Sequence, residues 1–155
     1  MVLPIGVRAP DFALSSALGE TVKLSEVLQD GPVALVFFPL AFSGVCQGEL
    51  CELQDRLEMF EDARVRLMTI SVDSKFALRA WGQLQGYGFT LLSDRWPLGL
   101  VARSYDAFEH ERGYAARATV LIGPDGGVRA SFQTAPGTPR SLEQYQAALA
   151  RLNIA

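Results

Sequence analysis

The stretch GPVALVFFPLAFSGVCQGEL, residues 31–50, contains the pattern that decides the fold. Residues 33–38 form an unbroken apolar run, which is typical of a strand buried on both faces of a sheet. Pro39 ends this strand, and residues 45–61 then carry large apolar side chains at helical spacing. Because residues 66–72 form a second buried strand, the pattern predicts a right-handed βαβ crossover.

The rest of the chain supplies an N-terminal hairpin, further strands and three more helices. A turn at Gly19-Glu20 joins two short strands within residues 12–24, and residues 124–127, Pro-Asp-Gly-Gly, are a strong hairpin turn. The other predicted elements are strands at residues 89–92, 118–122 and 127–133 and helices at residues 74–85, 99–105 and 141–152. This order predicts an α/β, thioredoxin-like fold, with a mixed central sheet flanked by helices on both faces and an N-terminal β-hairpin.

The composition limits the classes of function that the chain can have. Its 155 residues, 49% hydrophobic and 20% charged, predict one globular domain over residues 1–155. Two cysteines, Cys46 and Cys51, and one histidine, His110, are too few for a secreted disulfide scaffold and match no zinc-binding spacing. A net charge of −3 argues against a nucleic-acid partner.

Nothing in the sequence predicts export or membrane insertion. The N-terminal residues MVLPIGVRAPDF lack the basic segment and following apolar segment of a signal peptide. No apolar run approaches the roughly 18 residues of a membrane-spanning helix, so no membrane partner is expected. The expected location is therefore the cytoplasm, where cysteines stay reduced unless they perform redox chemistry or bind metal.

Cys46 is the residue whose position indicates chemistry. It falls in the first turn of a predicted helix, where free backbone N–H groups and the positive end of the helix dipole favour an anion such as a thiolate. Ser43 offers a hydroxyl to the same loop, and Pro39 fixes the path by which the chain enters it. On a helical wheel Cys46 shares the apolar stripe with Leu50, whereas Cys51 falls among polar residues and is expected to be exposed to solvent.

The spacing Pro39-x-x-x-Ser43-x-x-Cys46 resembles the active-site signature of the peroxiredoxins, Pro-x-x-x-Thr/Ser-x-x-Cys. Arg117, which opens a predicted strand, falls where that family has its active-site arginine. The resemblance covers nearly the whole chain, and parts of it are very similar to the alkyl hydroperoxide reductase E subgroup. The stretches that carry it are residues 9–12 (APDF), residues 37–50 and residues 92–97 (LSDRWP).

The resemblance implies a thiol-dependent peroxidase with an antioxidant role in cell redox homeostasis. Cys46 would attack a hydroperoxide oxygen and become a sulfenic acid, while Arg117 holds the thiolate and the peroxide. Ser43 and the backbone N–H of Cys46 would bind the peroxide oxygens, and Pro39 would shield the pocket from water. No metal or organic cofactor is implied. The implied partners are hydrogen peroxide or an organic hydroperoxide, a thiol reductant, and a second copy of the chain in a homodimer.

Cys51 departs from the pattern of one-cysteine members of that subgroup. The spacing Cys46-x-x-x-x-Cys51 resembles the bacterioferritin comigratory protein (PrxQ) type, in which the second cysteine resolves the sulfenic acid as an intramolecular disulfide. On an intact helix the two Cα atoms would lie about 8.7 Å apart, whereas a disulfide requires about 4.4–6.8 Å. Resolution would therefore need local unfolding of residues 43–52 and a thioredoxin-like reductant. Without resolution, Cys51 is a tolerated surface residue and the reductant is a glutaredoxin-like protein or a low-molecular-weight thiol.

Two other classes of function stay open from the residues alone. A thioredoxin-like disulfide oxidoreductase would need Cys-x-x-Cys after the first buried strand, and this chain has four residues between its cysteines. A noncatalytic thioredoxin-fold binding module would have inert thiols.

Several other residues have predicted roles outside the chemistry. Glu49 is predicted to be a helix-edge carboxylate that serves the helix dipole, with a secondary bond to the active-site arginine. Trp81, Trp96 and Phe42 are predicted to lie in the core or in an interface. His110 is predicted to lie on the surface between two glutamates.

Overall fold

In a computed structural model, which describes residues 1–152, strands and helices alternate along most of the chain. The strands are β1 (Ala13–Ser16), β2 (Thr21–Lys23), β3 (Val33–Phe37), β4 (Arg66–Ser71), β5 (Thr90–Ser93), β6 (Phe108–Glu109), β7 (Tyr114–Ala115), β8 (Arg117–Ile122) and β9 (Val128–Thr134). The helices are α1 (Leu24–Val27), α2 (Gly44–Asp55), α3 (Leu57–Asp62), α4 (Lys75–Gln85), α5 (Leu100–Ser104) and α6 (Leu142–Leu152), with a 3₁₀ turn at Leu28–Asp30. None of these helices has the length and apolar character needed to cross a bilayer.

The main sheet has seven strands in the order β2-β1-β5-β4-β3-β8-β9, and β6 pairs with β7 in a separate hairpin. Strands β3, β4 and β5 are parallel neighbours, whereas β8 runs antiparallel to β3 and β1 runs antiparallel to β5. The predicted mixed sheet is therefore confirmed. All five residues of β3 are buried, which explains why its sequence is continuously apolar rather than alternating.

Helices cover both faces of the sheet, as the sequence predicts. Val33, Leu35 and Phe37 of β3 belong to a core that also contains side chains from α1 and α5. The alternate residues Ala34 and Val36 belong to a second core, which contains side chains from α2, α3, α4 and α6. This alternation follows from the two-residue period of a strand, because successive side chains point to opposite faces.

The predicted continuous helix over residues 45–61 is wrong, because the structure divides it into α2 and α3. Arg56 lies between them with φ −116° and ψ 25°, outside the helical region. The apolar pattern does not reveal the break, since Leu57 and Phe60 keep helical spacing on its far side. Phe60 is buried and packs its ring edge-on against Tyr145 of α6, with 6.2 Å between ring centroids.

Two helix starts agree with the sequence in detail. The Ser74 side chain accepts a hydrogen bond from the backbone N–H of Ala77 and so caps α4. Ser141 and Gln144 form the expected capping box, in which each side chain accepts from the other residue's backbone N–H. The sequence did not predict α1 or the β6–β7 hairpin. Helix α1 has four residues and each of these two strands has two, which is too few to show a helical or strand period in the apolar pattern.

Candidate active site

Cys46 lies in the first turn of α2 and is fully buried. The helix follows directly on the loop after β3, and its first hydrogen bond runs from the backbone N–H of Gln47 to the carbonyl of Ser43 at 2.9 Å. Leu50 and Leu53 share the buried face of the helix with Cys46, as the helical wheel predicts. The sulfur therefore sits at the end of the helix where backbone N–H groups have no helical partner.

Arg117 places a positive charge beside the sulfur of Cys46. It is the first residue of β8, which pairs with β3, and its side chain is 2% exposed. Its Nη1 group donates to Cys46 Sγ at 3.4 Å and to Glu49 Oε1 at 2.9 Å. Its Nε and Nη2 groups both donate to the carbonyl of Pro136, at 3.0 and 2.6 Å. This buried guanidinium is the cation that a thiolate at Cys46 would face.

Glu49 fixes Arg117 from the other side, together with a second arginine that sequence reasoning missed. Arg140 is buried and donates to Glu49 Oε2 from its backbone N–H at 2.6 Å and from Nε at 2.9 Å. Its Nη2 group donates to Glu49 Oε1 at 2.7 Å. Glu49, predicted at the edge of the apolar stripe, is buried, and the predicted bond to Arg117 is present.

The charges of this cluster alter the pKa of its carboxylate. Burial alone would raise the pKa of Glu49, but hydrogen bonds from Arg140 and the positive charges of Arg140 and Arg117 outweigh it and hold that pKa below the usual range. Burial lowers the pKa of Arg140, whereas Tyr145 and Glu49 raise it, and the net direction is upward. A carboxylate between two guanidinium groups therefore stays ionised, and it keeps Arg117 in place beside the sulfur.

The loop between β3 and α2 forms the mouth of the site. Pro39 is buried at its start, and Leu40 and Phe42 are exposed. The ring of Phe42 lies 6.0 Å, between centroids, from that of Trp81, which is buried in the core. The hydroxyl of Ser43 donates to the carbonyl of Leu40 at 2.8 Å and does not cap α2.

Comparisons with known proteins identify the family of this chain. The model of the AhpC/TSA family matches residues 5–131. The chain belongs to the AhpC/TSA family of peroxiredoxins. The resemblance inferred from the motif is thus confirmed, and a peroxiredoxin is a thiol-dependent peroxidase. Alkyl hydroperoxide reductase E of Mycobacterium tuberculosis is 38% identical over 151 residues, which make up 97% of this chain and 99% of that protein.

Solved peroxiredoxin structures confirm the thioredoxin-like fold. The crystal structure of peroxidoxin BcpB from Mycobacterium tuberculosis has a TM-score of 0.83 and 26% sequence identity to this chain. The match covers 98% of this chain and 97% of the BcpB chain. The crystal structure of the reduced 2-Cys peroxiredoxin of Plasmodium vivax has a TM-score of 0.84 and 27% sequence identity. The match covers 94% of this chain and 80% of the Plasmodium vivax chain.

Cys51 of this peroxiredoxin lies on a different face of α2 from Cys46. Its sulfur is 3.5 Å from Gln85 Oε1 and 3.4 Å from the hydroxyl of Tyr87, at the end of α4 and just beyond it. The Tyr87 hydroxyl also donates to the carbonyl of Gln47 at 3.4 Å. Cys51 is therefore half-buried and held by polar groups, whereas the sequence predicted a solvent-exposed thiol. The helical wheel placed it on the polar face but could not show that α4 lies against that face.

The remaining candidate residues, Trp96 and His110, lie at the surface. Trp96 is 86% exposed and so is not a core residue. His110 is exposed, and its ring packs edge-on against Phe108 with 5.1 Å between centroids. Among residues 1–152, no group of three or more His, Cys, Asp or Glu side chains is placed to hold a metal ion.

Proposed function

We propose that this peroxiredoxin reduces hydrogen peroxide and organic hydroperoxides through the Cys46 thiolate. The observation that carries the assignment is the 3.4 Å contact between Arg117 Nη1 and the buried Cys46 sulfur at the start of α2. A helix end and a buried guanidinium both favour negative charge on that sulfur. The hydrogen-bond partners of Cys51 within residues 1–152, by contrast, are neutral groups, an amide oxygen and a phenol.

The reaction is a displacement at oxygen. The Cys46 sulfur forms a bond to one peroxide oxygen while the O–O bond breaks, so the sulfur is oxidised to a sulfenic acid and the peroxide is reduced. The other oxygen leaves with a proton as water or an alcohol. In this proposal Arg117 stabilises the charge that moves onto the leaving oxygen, and Ser43 and the Cys46 backbone N–H bind the peroxide. Pro39 keeps water from the sulfur. The apolar side chains of the loop between β3 and α2 favour the binding of organic hydroperoxides as well as hydrogen peroxide.

The measurement that tests this assignment is the second-order rate constant for oxidation by hydrogen peroxide, followed by tryptophan fluorescence. The buried Trp81 ring lies near the Phe42 loop and is therefore a suitable reporter. A rate no faster than that of free cysteine would contradict the proposal and would favour a noncatalytic binding module. Fast reduction of a model disulfide, without fast peroxide reduction, would favour the disulfide oxidoreductase.

We further propose that Cys51 resolves the sulfenic acid on Cys46. Both cysteines belong to α2, and only one turn and a half of helix separates them. Because the side chains point to different faces, the disulfide requires the first turns of α2 to unwind. Cys51 is bonded to Gln85 and Tyr87, and the carbonyl of Gln47 accepts from Tyr87. These bonds oppose that unwinding, so their breakage is part of the resolving step.

One equivalent of hydrogen peroxide is expected to convert the protein to a form two mass units lighter, because disulfide formation removes two hydrogens. Peptide mapping should then show Cys46 linked to Cys51. The Cys51→Ser variant is the matched control and should instead retain a sulfenic acid that dimedone traps. A stable sulfenic acid in the wild type would contradict resolution. The reductant would then be a low-molecular-weight thiol or a glutaredoxin-like protein instead of a thioredoxin-like one.

We also propose that the protein is a homodimer formed through an exposed aromatic surface. Phe76 and Trp96 are 74% and 86% exposed and line the same surface depression, together with Lys75 and Arg95. Exposed aromatic residues that cluster in this way are typical of protein interfaces.

The proposed domain extent is residues 1–155, and cytoplasmic residence is proposed because thiol reductants act in that compartment.

Replacing Phe76 by glutamate is expected to shift the protein to a monomer, because a charge would be buried at the centre of the contact. Leu84→Glu is the matched control, since Leu84 is 72% exposed on the same helix α4 but lies outside the depression. Sedimentation velocity at equal protein concentrations would compare the two variants with the wild type. A wild-type protein that sediments as a monomer would contradict the proposal.

A further inference from the structure

The loop that carries Pro39 and Ser43 has a backbone conformation that other groups must hold in place. Phe42 adopts φ +67°, in the left-handed region that residues with a side chain rarely occupy. Such a conformation costs free energy and persists only where surrounding contacts fix it. The side chain of Phe42 is 53% exposed, so its own packing is a weak constraint. Hydrogen bonds to the backbone near Phe42 therefore matter for holding this conformation.

Among residues 1–152, Asp73 is the residue outside this loop whose side chain binds the loop's backbone. Its Oδ2 atom accepts the backbone N–H of Ala41 at 2.8 Å and the hydroxyl of Ser71 at 2.6 Å. The carbonyl of Asp73 in turn accepts the hydroxyl of Ser93 at 2.6 Å. Ser71 ends β4 and Ser93 ends β5, so Asp73 is anchored to the ends of two parallel strands, to the first through its carboxylate and to the second through its backbone carbonyl.

We infer that Asp73 is a positioning residue for the peroxide reaction of Cys46, an inference that rests on the proposed function. The sulfur and its cation come from different elements, since Cys46 begins α2 whereas Arg117 is fixed by β8 and the carbonyl of Pro136. Their separation of 3.4 Å therefore depends on what fixes the start of α2. The Asp73–Ala41 bond ties that start to the sheet, only a few residues before the sulfur.

The experiment compares Asp73→Ala with Asp73→Asn and with the control Asp125→Ala. Asp73→Ala is expected to lower the second-order rate constant of Cys46 with hydrogen peroxide by about 10- to 100-fold, because displacement by about an ångström has an effect of that size. One oxygen of Asp73, Oδ2, accepts the backbone N–H of Ala41 and the hydroxyl of Ser71. The side-chain amide of asparagine also has one acceptor oxygen. Asp73→Asn should therefore recover most of the rate. Asp125→Ala removes a carboxylate that also accepts a backbone N–H, that of Gly127 in the β8–β9 turn, and should leave the rate unchanged.

Alkylation of Cys51 serves as a second measurement, because it would accelerate only if α2 as a whole came loose. Loss of peroxide reactivity with unchanged alkylation of Cys51 and rescue by asparagine would support the inference. An Asp73→Ala protein that keeps the wild-type rate would overturn it, and so would an equal loss in the alanine and asparagine variants. If the wild type itself reacts no faster than free cysteine, the proposed function fails instead.

Discussion

Replacement of Cys46 by serine is expected to abolish the fast reaction with peroxide, lowering the rate by more than about a thousandfold. Serine fits the fully buried site, but its hydroxyl stays protonated and is a far weaker nucleophile than a thiolate. The helix end and Arg117 would remain, so the variant separates the nucleophile from its surroundings. Stopped-flow tryptophan fluorescence and a coupled peroxide-consumption assay would both measure the loss.

The Cys51→Ser variant is the control for this result. Cys51 contacts Gln85 and Tyr87 rather than Arg117, so its loss should leave the first oxidation step at the wild-type rate and slow only turnover. Far-ultraviolet circular dichroism would establish that both variants are folded. Retention of fast oxidation in Cys46→Ser, together with its loss in Cys51→Ser, would show that the two cysteines have the opposite roles.

Glu49→Gln is expected to lower the free energy of unfolding by about 3–5 kcal/mol, the range for removing one partner of a buried ion pair. The variant keeps the shape and an acceptor oxygen, but leaves the guanidinium groups of Arg117 and Arg140 buried without their carboxylate. Arg117 should also lose its fixed position beside Cys46, so the peroxide rate should fall. Urea denaturation at neutral pH would measure the change in stability.

The effect of Glu49 on stability has a defined dependence on pH. Because the pKa of Glu49 is lowered in the folded state, its contribution is complete above the ordinary glutamate pKa. It is lost progressively as the pH falls toward the lowered pKa. The difference in unfolding free energy between wild type and Glu49→Gln should therefore be largest near neutrality and shrink in acid. The control Asp125→Asn, at an exposed ion pair, should change stability little. A difference between wild type and Glu49→Gln that does not vary with pH would argue against a charge effect.

Much of the fold could be predicted because its signals are local. The apolar run that became β3, the cap at Ser74 and the capping box at Ser141 each depend on residues close together in sequence. The break at Arg56 could not be predicted, because Leu57 and Phe60 keep their spacing on its far side. Beyond the break, Phe60 of α3 packs against Tyr145 of α6, which lies 85 positions further along the chain.

For the candidate site, the order of residues along the chain already predicts where the proposed nucleophile lies. Pro39, Ser43 and Cys46 lie within eight consecutive residues, where a strand ends and a helix begins, and that local order puts a thiol at a helix N-terminus. The groups that surround this thiol follow only from the tertiary structure. Arg140 reaches Glu49 across 91 positions, and Asp73 reaches the loop across 32. Such contacts depend on which strands and helices become neighbours in the sheet, and spacing along one segment does not encode that.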